Sequence, residues 1–167
     1  MTISASDVVL DDLRIGDAGW LVMRHAELYA QEEGFDASFE PLVARILADF
    51  LEAHDPAHER GWIARADGAR LGSIFCVQGP EPDTAKLRLF LLEPRARGLG
   101  LGRRMLDTCT EFALMAGYDR MTLWTHESHR AACALYAKAG FACTRSEPVR
   151  SFGVDLVEQE WSLHLRD

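Results

Sequence analysis

Three groups of residues in this chain have types and spacings that support chemistry. The first is Arg97-Gly98-Leu99-Gly100-Leu101-Gly102-Arg103-Arg104. Alternate glycines let a backbone turn tightly and approach a ligand without interference from Cβ atoms. A helical pattern follows at once, with Leu101, Met105, Leu106, Cys109, Phe112 and Ala113 on one face. The loop therefore delivers unpaired backbone N–H groups to a helix N-terminus, an anion site suited to phosphate. Arg97, Arg103 and Arg104 are expected to add positive charge beside it. The second group is Ala134-Leu135-Tyr136-Ala137-Lys138-Ala139-Gly140-Phe141. It sets Tyr136 near the end of a helix, where the plainer reading is an amphipathic core residue with its hydroxyl at the surface. The third group is a scatter of carboxylates and imidazoles: Glu32, Glu33, His25 and His126-Glu127-Ser128-His129. Solvated charge and capped or core histidines are the plainer uses of these residues. A His-x-x-His pair with no third ligand is a weak metal signal, so no metal is expected.

The glycine loop is not one of two familiar phosphate loops. A G-x-G-x-x-G dinucleotide fingerprint counted from Gly98 ends on Arg103, and counted from Gly100 it ends on Met105. A P-loop needs Gly-Lys-Ser/Thr, which is absent from the sequence. The plain alternative is a strand-to-helix turn without a ligand.

These residues need elements to hold them. Leu87 to Leu92 reads as a buried strand that Pro94 ends, followed by the loop and a helix to Gly117. Upstream, Val8 to Ile15 predicts a first strand, and Asp17 is placed to cap a helix running to about Gln31, stopped by Gly34. Ser38 predicts a second cap, with Pro41 in the first turn of a helix ending near Asp55-Pro56. Trp62 to Ala66 and Arg70 to Val77 flank Asp67-Gly68, a hairpin signal. Met121 to Thr125 predicts a strand, His129 to Lys138 a helix stopped by Gly140, and Phe141 to Ser146 and Val157 to Leu165 two closing strands. The expected order is β-α-α-β-β-β-α-β-α-β-β in one domain spanning residues 1–167.

Composition narrows the function. A net charge of −8 argues against nucleic acid as a partner, since phosphate neutralisation needs a basic face. No apolar run reaches membrane-spanning length and no signal-peptide pattern opens the chain, so no membrane partner is expected. Cys76, Cys109, Cys133 and Cys143 each sit in an apolar pattern, which predicts buried free thiols and a cytoplasmic location.

Arg97-x-x-Gly100-x-Gly102, preceded by Glu93-Pro94, resembles the pyrophosphate loop of the GNAT superfamily of acetyl-CoA-dependent acyltransferases. Leu135-Tyr136-x-x-x-Gly140-Phe141 is similar to that family's helix-end pattern, and the element order agrees from about Val8 to Leu165. Thr122-Leu123-Trp124-Thr125, Arg150-Ser151-Phe152-Gly153, Asp155-Leu156-Val157 and Glu160-Trp161-Ser162-Leu163 look like the acetyltransferase half of MarR–GNAT fusion proteins, without the DNA-binding half. The resemblance implies a mixed α/β fold, with a mostly antiparallel twisted sheet of about six to seven strands flanked by four helices. It implies acetyl-CoA as cosubstrate and a primary amine of a small molecule or peptide as acceptor. Leu91, Leu92, Arg97, Gly98, Leu99, Gly100, Leu101, Gly102 and Arg103 would then bind the cofactor. Tyr136 would protonate the leaving thiolate, and Glu33 is a candidate base on the substrate side. A non-catalytic acyl-CoA-binding regulator is the other class that keeps this fold. One departure stands out: many members have asparagine seven residues before the tyrosine, where this chain has His129. The family's habit of pairing subunits through closing strands implies a homodimer through Val157 to Leu165.

Overall fold

The computed structural model describes residues 2–167. The elements run β1 (Val9–Asp11), α1 (Asp17–Glu33), α2 (Phe39–Ala53), β2 (Arg60–Ala66), β3 (Ala69–Gln78), β4 (Thr84–Leu92), α3 (Leu101–Met115), β5 (Arg120–His126), α4 (Arg130–Lys138), β6 (Ala142–Ser151) and β7 (Val154–His164). The seven strands form one sheet in the order β1-β2-β3-β4-β5-β7-β6. Neighbours are antiparallel except β4 and β5, which are parallel. This is the expected mixed α/β architecture, a sheet with four helices.

The sheet separates two apolar clusters. Leu71, Ile74 and Leu87 pack with Met105, Leu106 and Cys109 of α3 and with Tyr136 of α4. On the other face, Ile63 and Phe75 pack with Leu21 of α1 and with Val43, Leu47 and Phe50 of α2. Alternation along β3 explains the division, since Ile74 and Phe75 point to opposite faces.

β4 is bent at Leu89. Leu89 has φ of 50°, the register against β3 shifts between Ser73 and Phe75, and Ser73 Oγ donates to the Leu89 carbonyl at 2.6 Å. A left-handed leucine inside a strand is a bulge, and a bulge turns the strand away from its neighbour. Pairing with β5 accordingly stops after Lys86 and Thr122. From Leu87 onward, β4 has no β5 partner. The splay leaves a strand edge free to bind an extended group.

Several expectations need correction. The first strand is shorter than Val8 to Ile15, because Arg14 and Ile15 already lie in the turn into α1. Asp17 is not the cap of α1: Gly16 holds that position at φ 91°, and Asp17 is the first helical residue. Its fully buried carboxylate accepts from the Arg14 N–H at 2.6 Å, from Arg70 Nε at 2.8 Å and from Arg65. Ser38 precedes α2 without a side-chain cap bond and donates to Asp36 instead. β6 and β7 run on to a turn at Phe152-Gly153, whose φ values are 54° and 78°. Gly153 lies close against Asp36, and the Asp36 N–H donates to the Phe152 carbonyl at 2.9 Å, so this hairpin docks on the α1–α2 loop. Of the four free cysteines only Cys76 and Cys109 are buried; Cys143 is exposed because β6 faces solvent along most of its length. β7 lies between β5 and β6. Its apolar face, Trp161 and Leu163, is taken by the core of this same chain, and the free edge beyond it belongs to β6. Among the described residues no helix is long and apolar enough to cross a membrane.

Candidate functional site

One cavity of about 880 Å³ follows the bent strand from end to end. Its lining includes Leu91, Leu92, Arg97, Gly98, Gly100, Leu101, Gly102 and Arg103, and also Glu33 and Tyr136. The structure thus brings together every site residue expected from the sequence except Leu99. Arg104 is not in the cavity either. Its guanidinium faces the other way and donates to the carbonyls of Ala5 at 3.2 Å and Val8 at 2.8 Å.

At one end lies the glycine loop. Gly100 is the N-terminal cap of α3 at φ 74°, a conformation that favours glycine. The Arg97 N–H is used by Pro94 and the Arg104 N–H by Gly100. Among the described residues, no protein acceptor takes the N–H groups of Gly98 through Arg103, so they are free for an anion. Arg97 braces the loop rather than reaching freely outward: Nε donates to the Leu92 carbonyl at 3.2 Å and Nη1 meets Glu32 at 2.8 Å. Arg103 is paired with Asp107 at 2.9 Å on the exposed helix surface. Glu93 ties the loop's base to α1, where its carboxylate accepts from Arg24 Nε at 2.6 Å and Nη2 at 2.8 Å. That bidentate pair keeps α1 in register with the end of β4.

Gly102 gives the cleaner probe of this end. A valine at Gly100 would be strained at its positive φ and lose stability as well as fit. Gly102 has no such φ, and a Cβ there would come no nearer than 3.4 Å to Leu135 Cδ2. For the acetyl-CoA that the sequence resemblance implies, Gly102→Val should leave a folded protein whose affinity falls by about 10–100-fold, by pushing the ligand off two or three backbone donors. Calorimetric titration of the variant checks this, and an affinity equal to the parent's contradicts a phosphate site at the loop.

In the middle of the cavity sit Tyr136 and a group of imidazoles. Tyr136 is 4% exposed and packs among Phe90, Phe141 and Trp161. Burial raises its pKa well above the ordinary phenol value, with the nearby Tyr29 adding to the effect. His129 caps α4, and its Nε2 lies 3.1 Å from Glu33 Oε1. Ser128 Oγ donates to the other Glu33 oxygen at 2.6 Å. Burial lowers the His129 pKa, against the opposing pull of Glu33 and Glu32. His126 lines the same cavity, its Nδ1 is buried without a partner, and burial brings it down to about 4. His25 donates Nδ1–H to the Leu21 carbonyl at 2.7 Å, and burial brings it to about 4 as well. Its Nε2 has no partner among the described residues. Both of these rings are therefore neutral at pH 7. No group of three or more metal-ligating side chains occurs among the described residues.

The far end is walled by Phe39, Leu42, Val43 and Ile46 of α2 and by Lys86, Arg88 and Trp124 of the sheet. Of the aromatics on α1, α2 and the loop between them, Tyr29 and Phe39 line the cavity and Phe35 backs them, whereas Trp20 packs on the α2 core. Sequence reasoning missed Lys86, Arg88 and Arg130. Two cations at alternate positions of an otherwise apolar strand were the available signal.

A family model described as "Acetyltransferase (GNAT) family" matches residues 22–141. An uncharacterised N-acetyltransferase of Schizosaccharomyces pombe is 29% identical over 117 residues, covering 70% of this chain and 71% of that protein. Across the first curated relatives, the chain spans from 25% to 71% of their length. A Salmonella typhimurium structure solved with its cofactor acetyl-CoA superposes with a TM-score of 0.72 at 17% identity, over 96% of this chain and 95% of that one. Spermidine N-acetyltransferase from Vibrio cholerae, in complex with CoA and spermine, gives 0.70 at 16% identity over 96% of each chain. These likenesses to solved structures agree with the fold, and the family match covers the bulged strand, the glycine loop and the tyrosine helix, so the chain belongs to the acetyltransferase (GNAT) family.

Proposed function

We propose that this protein is an acetyl-CoA-dependent N-acetyltransferase that passes the acetyl group directly to a primary amine. One observation carries the reading: a single cavity runs from the free N–H groups of the glycine loop, along the unpaired edge of β4, to Tyr136. The fit to the cofactor is supported by the six consecutive N–H groups without protein acceptors and by a strand edge with no partner. Gly98 to Arg103 would hold the pyrophosphate, and the Leu91–Leu92 edge would pair with the pantetheine arm. When bound, acetyl-CoA supplies the activated acyl group as a thioester.

The transfer forms an N–C bond, breaks the C–S bond, removes one proton from the amine and adds one to the sulfur. A backbone N–H near Leu92 donates to the carbonyl oxygen as charge develops there. An amine of pKa about 10.4 is neutral in only roughly one molecule in a few thousand at pH 7, so its proton needs an acceptor. His129 is placed to take it. Its ring lines the cavity, its Nδ1 has no protein partner among the described residues, and Glu33 stands behind Nε2 to stabilise the imidazolium. In this reading Glu33 acts as a base through His129. Tyr136 stays protonated across the working pH range and donates to the departing sulfur. The proton passed to sulfur is made good by the one that His129 takes from the amine, so the phenol and the imidazole both return to their starting state.

Kinship with the acetyltransferase half of MarR–GNAT fusions belongs to the same proposal. Its motif Arg150-Ser151-Phe152-Gly153 forms the hairpin turn docked on the α1–α2 loop, and no DNA-binding role comes with it. A panel of polyamines, amino acids, aminoglycosides and peptides, assayed for acetyl-CoA-dependent thiol release, tests transfer. Binding of acetyl-CoA without thiol release across the panel would favour the regulatory alternative.

A further inference from the structure

The cavity has two cations at the end opposite the glycine loop. Lys86 and Arg88 sit at alternate positions of β4, facing Val77 and Phe75 across the β3–β4 pair, on the face covered by α2. Both line the cavity and both are partly buried. Among the described residues, neither donates a hydrogen bond to a carboxylate. Lys86 feels Glu158 and Glu160, and Arg88 feels Asp49 and Glu59, only at longer range. The Lys86 ammonium lies 5.2 Å from the centroid of the Trp124 ring. Burial lowers the pKa of each, and the two cations repel one another. In a chain of net charge −8, most other arginines that enter the folded surface are paired with an acid. Two partly buried cations left without one, side by side in a cavity, cost free energy that a ligand can return.

The cofactor's phosphates do not answer this need. Arg88 and Lys86 precede Leu92 by four and six residues, or roughly 13 and 20 Å along a strand, and the glycine loop begins beyond Leu92. The free N–H groups of the loop already provide for phosphate. What remains near Lys86 and Arg88 is the space beyond the acyl group, where an acceptor must enter. Apolar residues of α2, namely Leu42, Val43 and Ile46, share that space and strengthen any ion pair formed there. An arginine fork matches a carboxylate with two parallel hydrogen bonds, and a neighbouring lysine adds a point charge.

Resting on the acetyl-transfer reading, we propose that the acceptor amine carries an anionic group, in its simplest form a carboxylate, which Lys86 and Arg88 seat at the α2 end of the cavity. The acceptors are then amino acids or amines of like charge pattern rather than polyamines or aminoglycosides. With the carboxylate anchored there, the amine projects toward the bulge at Leu89 and the thioester beyond it.

The test compares amino acids with their primary carboxamides, which differ only in the anion. Turnover is followed by acetyl-CoA-dependent thiol release. Binding is followed separately by calorimetry on the protein saturated with coenzyme A, titrated with N-acetyl-amino acids and with their carboxamides. The expected result is that acids are preferred by at least about tenfold in kcat/KM, mainly through KM, and bind where the amides do not. Arg88→Gln and Lys86→Gln should each shrink that preference, Arg88→Lys should keep part of it, and the KM for acetyl-CoA should not move. Equal turnover and equal binding of acids and amides would overturn the proposal, as would a preference that survives in both glutamine variants. If acids bind in an Arg88-dependent way but no amine is acetylated, the anion seat stands and the transfer reading fails. If uncharged amines are acetylated while no acid binds, the seat fails and the transfer reading stands. Neither binding nor turnover across the panel rejects both.

Discussion

Tyr136→Phe should lower turnover by about 10²–10⁴-fold while acetyl-CoA affinity changes little. The substitution keeps the ring that packs on Phe90, Phe141 and Trp161 and removes only the hydroxyl. Tyr136 lines the cavity and its hydroxyl is not among the buried unpaired polar atoms, so its loss strands no donor or acceptor in the core. Folding should therefore be preserved. The lost interaction belongs to the transition state, where sulfur takes on charge, so kcat and kcat/KM should fall together. The raised pKa of the buried phenol sharpens the expectation, because Tyr136 stays a donor over the whole accessible pH range and the defect should be similar at every pH. Water entering the cavity can replace part of the donation, which favours the lower end of the range. Steady-state rates for both proteins across pH, with calorimetry on acetyl-CoA, decide the matter. A variant that turns over like the parent returns Tyr136 to a packing role.

Asp17→Ala should cost about 3–5 kcal/mol of stability, at the lower end because Arg65 keeps a second acid, Asp11, at 3.6 Å. Asp17 is fully buried and gathers Arg65, Arg70 and the Arg14 N–H at the start of α1. Burial pushes its pKa up, but the hydrogen bonds from Arg65, Arg14 and Arg70 outweigh that and bring it to about 2. Removal leaves the Arg65 guanidinium, only 14% exposed, without its main partner. Urea unfolding measures the loss, and a cost below about 1 kcal/mol would class the cluster with surface ion pairs. The acid response has a sign that can be worked out. His25 falls from the ordinary 6.5 to about 4 in the fold, so below pH 6.5 the unfolded chain binds the proton first and stability is lost down to pH 4. Asp17 falls from 3.8 to about 2, so its contribution is present above pH 3.8 and is lost as pH drops toward 2. The parent should thus lose stability in both windows, and Asp17→Ala should lose less than the parent in the lower one.

Much of this site was legible because its signals are local. Asp67-Gly68 between apolar runs names a hairpin, and Gly100 and Gly102 before a helical face name an anion-binding turn. Tyr136 stands out through the family resemblance that Leu135-Tyr136-x-x-x-Gly140-Phe141 carries. What was not legible depended on partners far along the chain. Asp17 reads as a cap because the sequence does not show that Arg65 and Arg70, some fifty residues away, converge on it. The bulge at Leu89 has no glycine to announce it; it is set by the Ser73 hydroxyl on the neighbouring strand. Arg104 reads as a phosphate ligand beside the loop until the helical turn carries it to the Ala5 and Val8 carbonyls. Likewise Arg88 is hidden in an apolar run, and only the cavity gives it a purpose.

Direct transfer along one cavity is the central claim, and acetyl-CoA labelled in its acetyl group tests it most directly. Mixed with the protein and an accepted amine under single-turnover conditions, it should yield labelled amide in step with free thiol, one for one. Without an amine, no label should become attached to the protein. Label found on the chain itself, or released as acetate while the amine stays unmodified, would contradict the account.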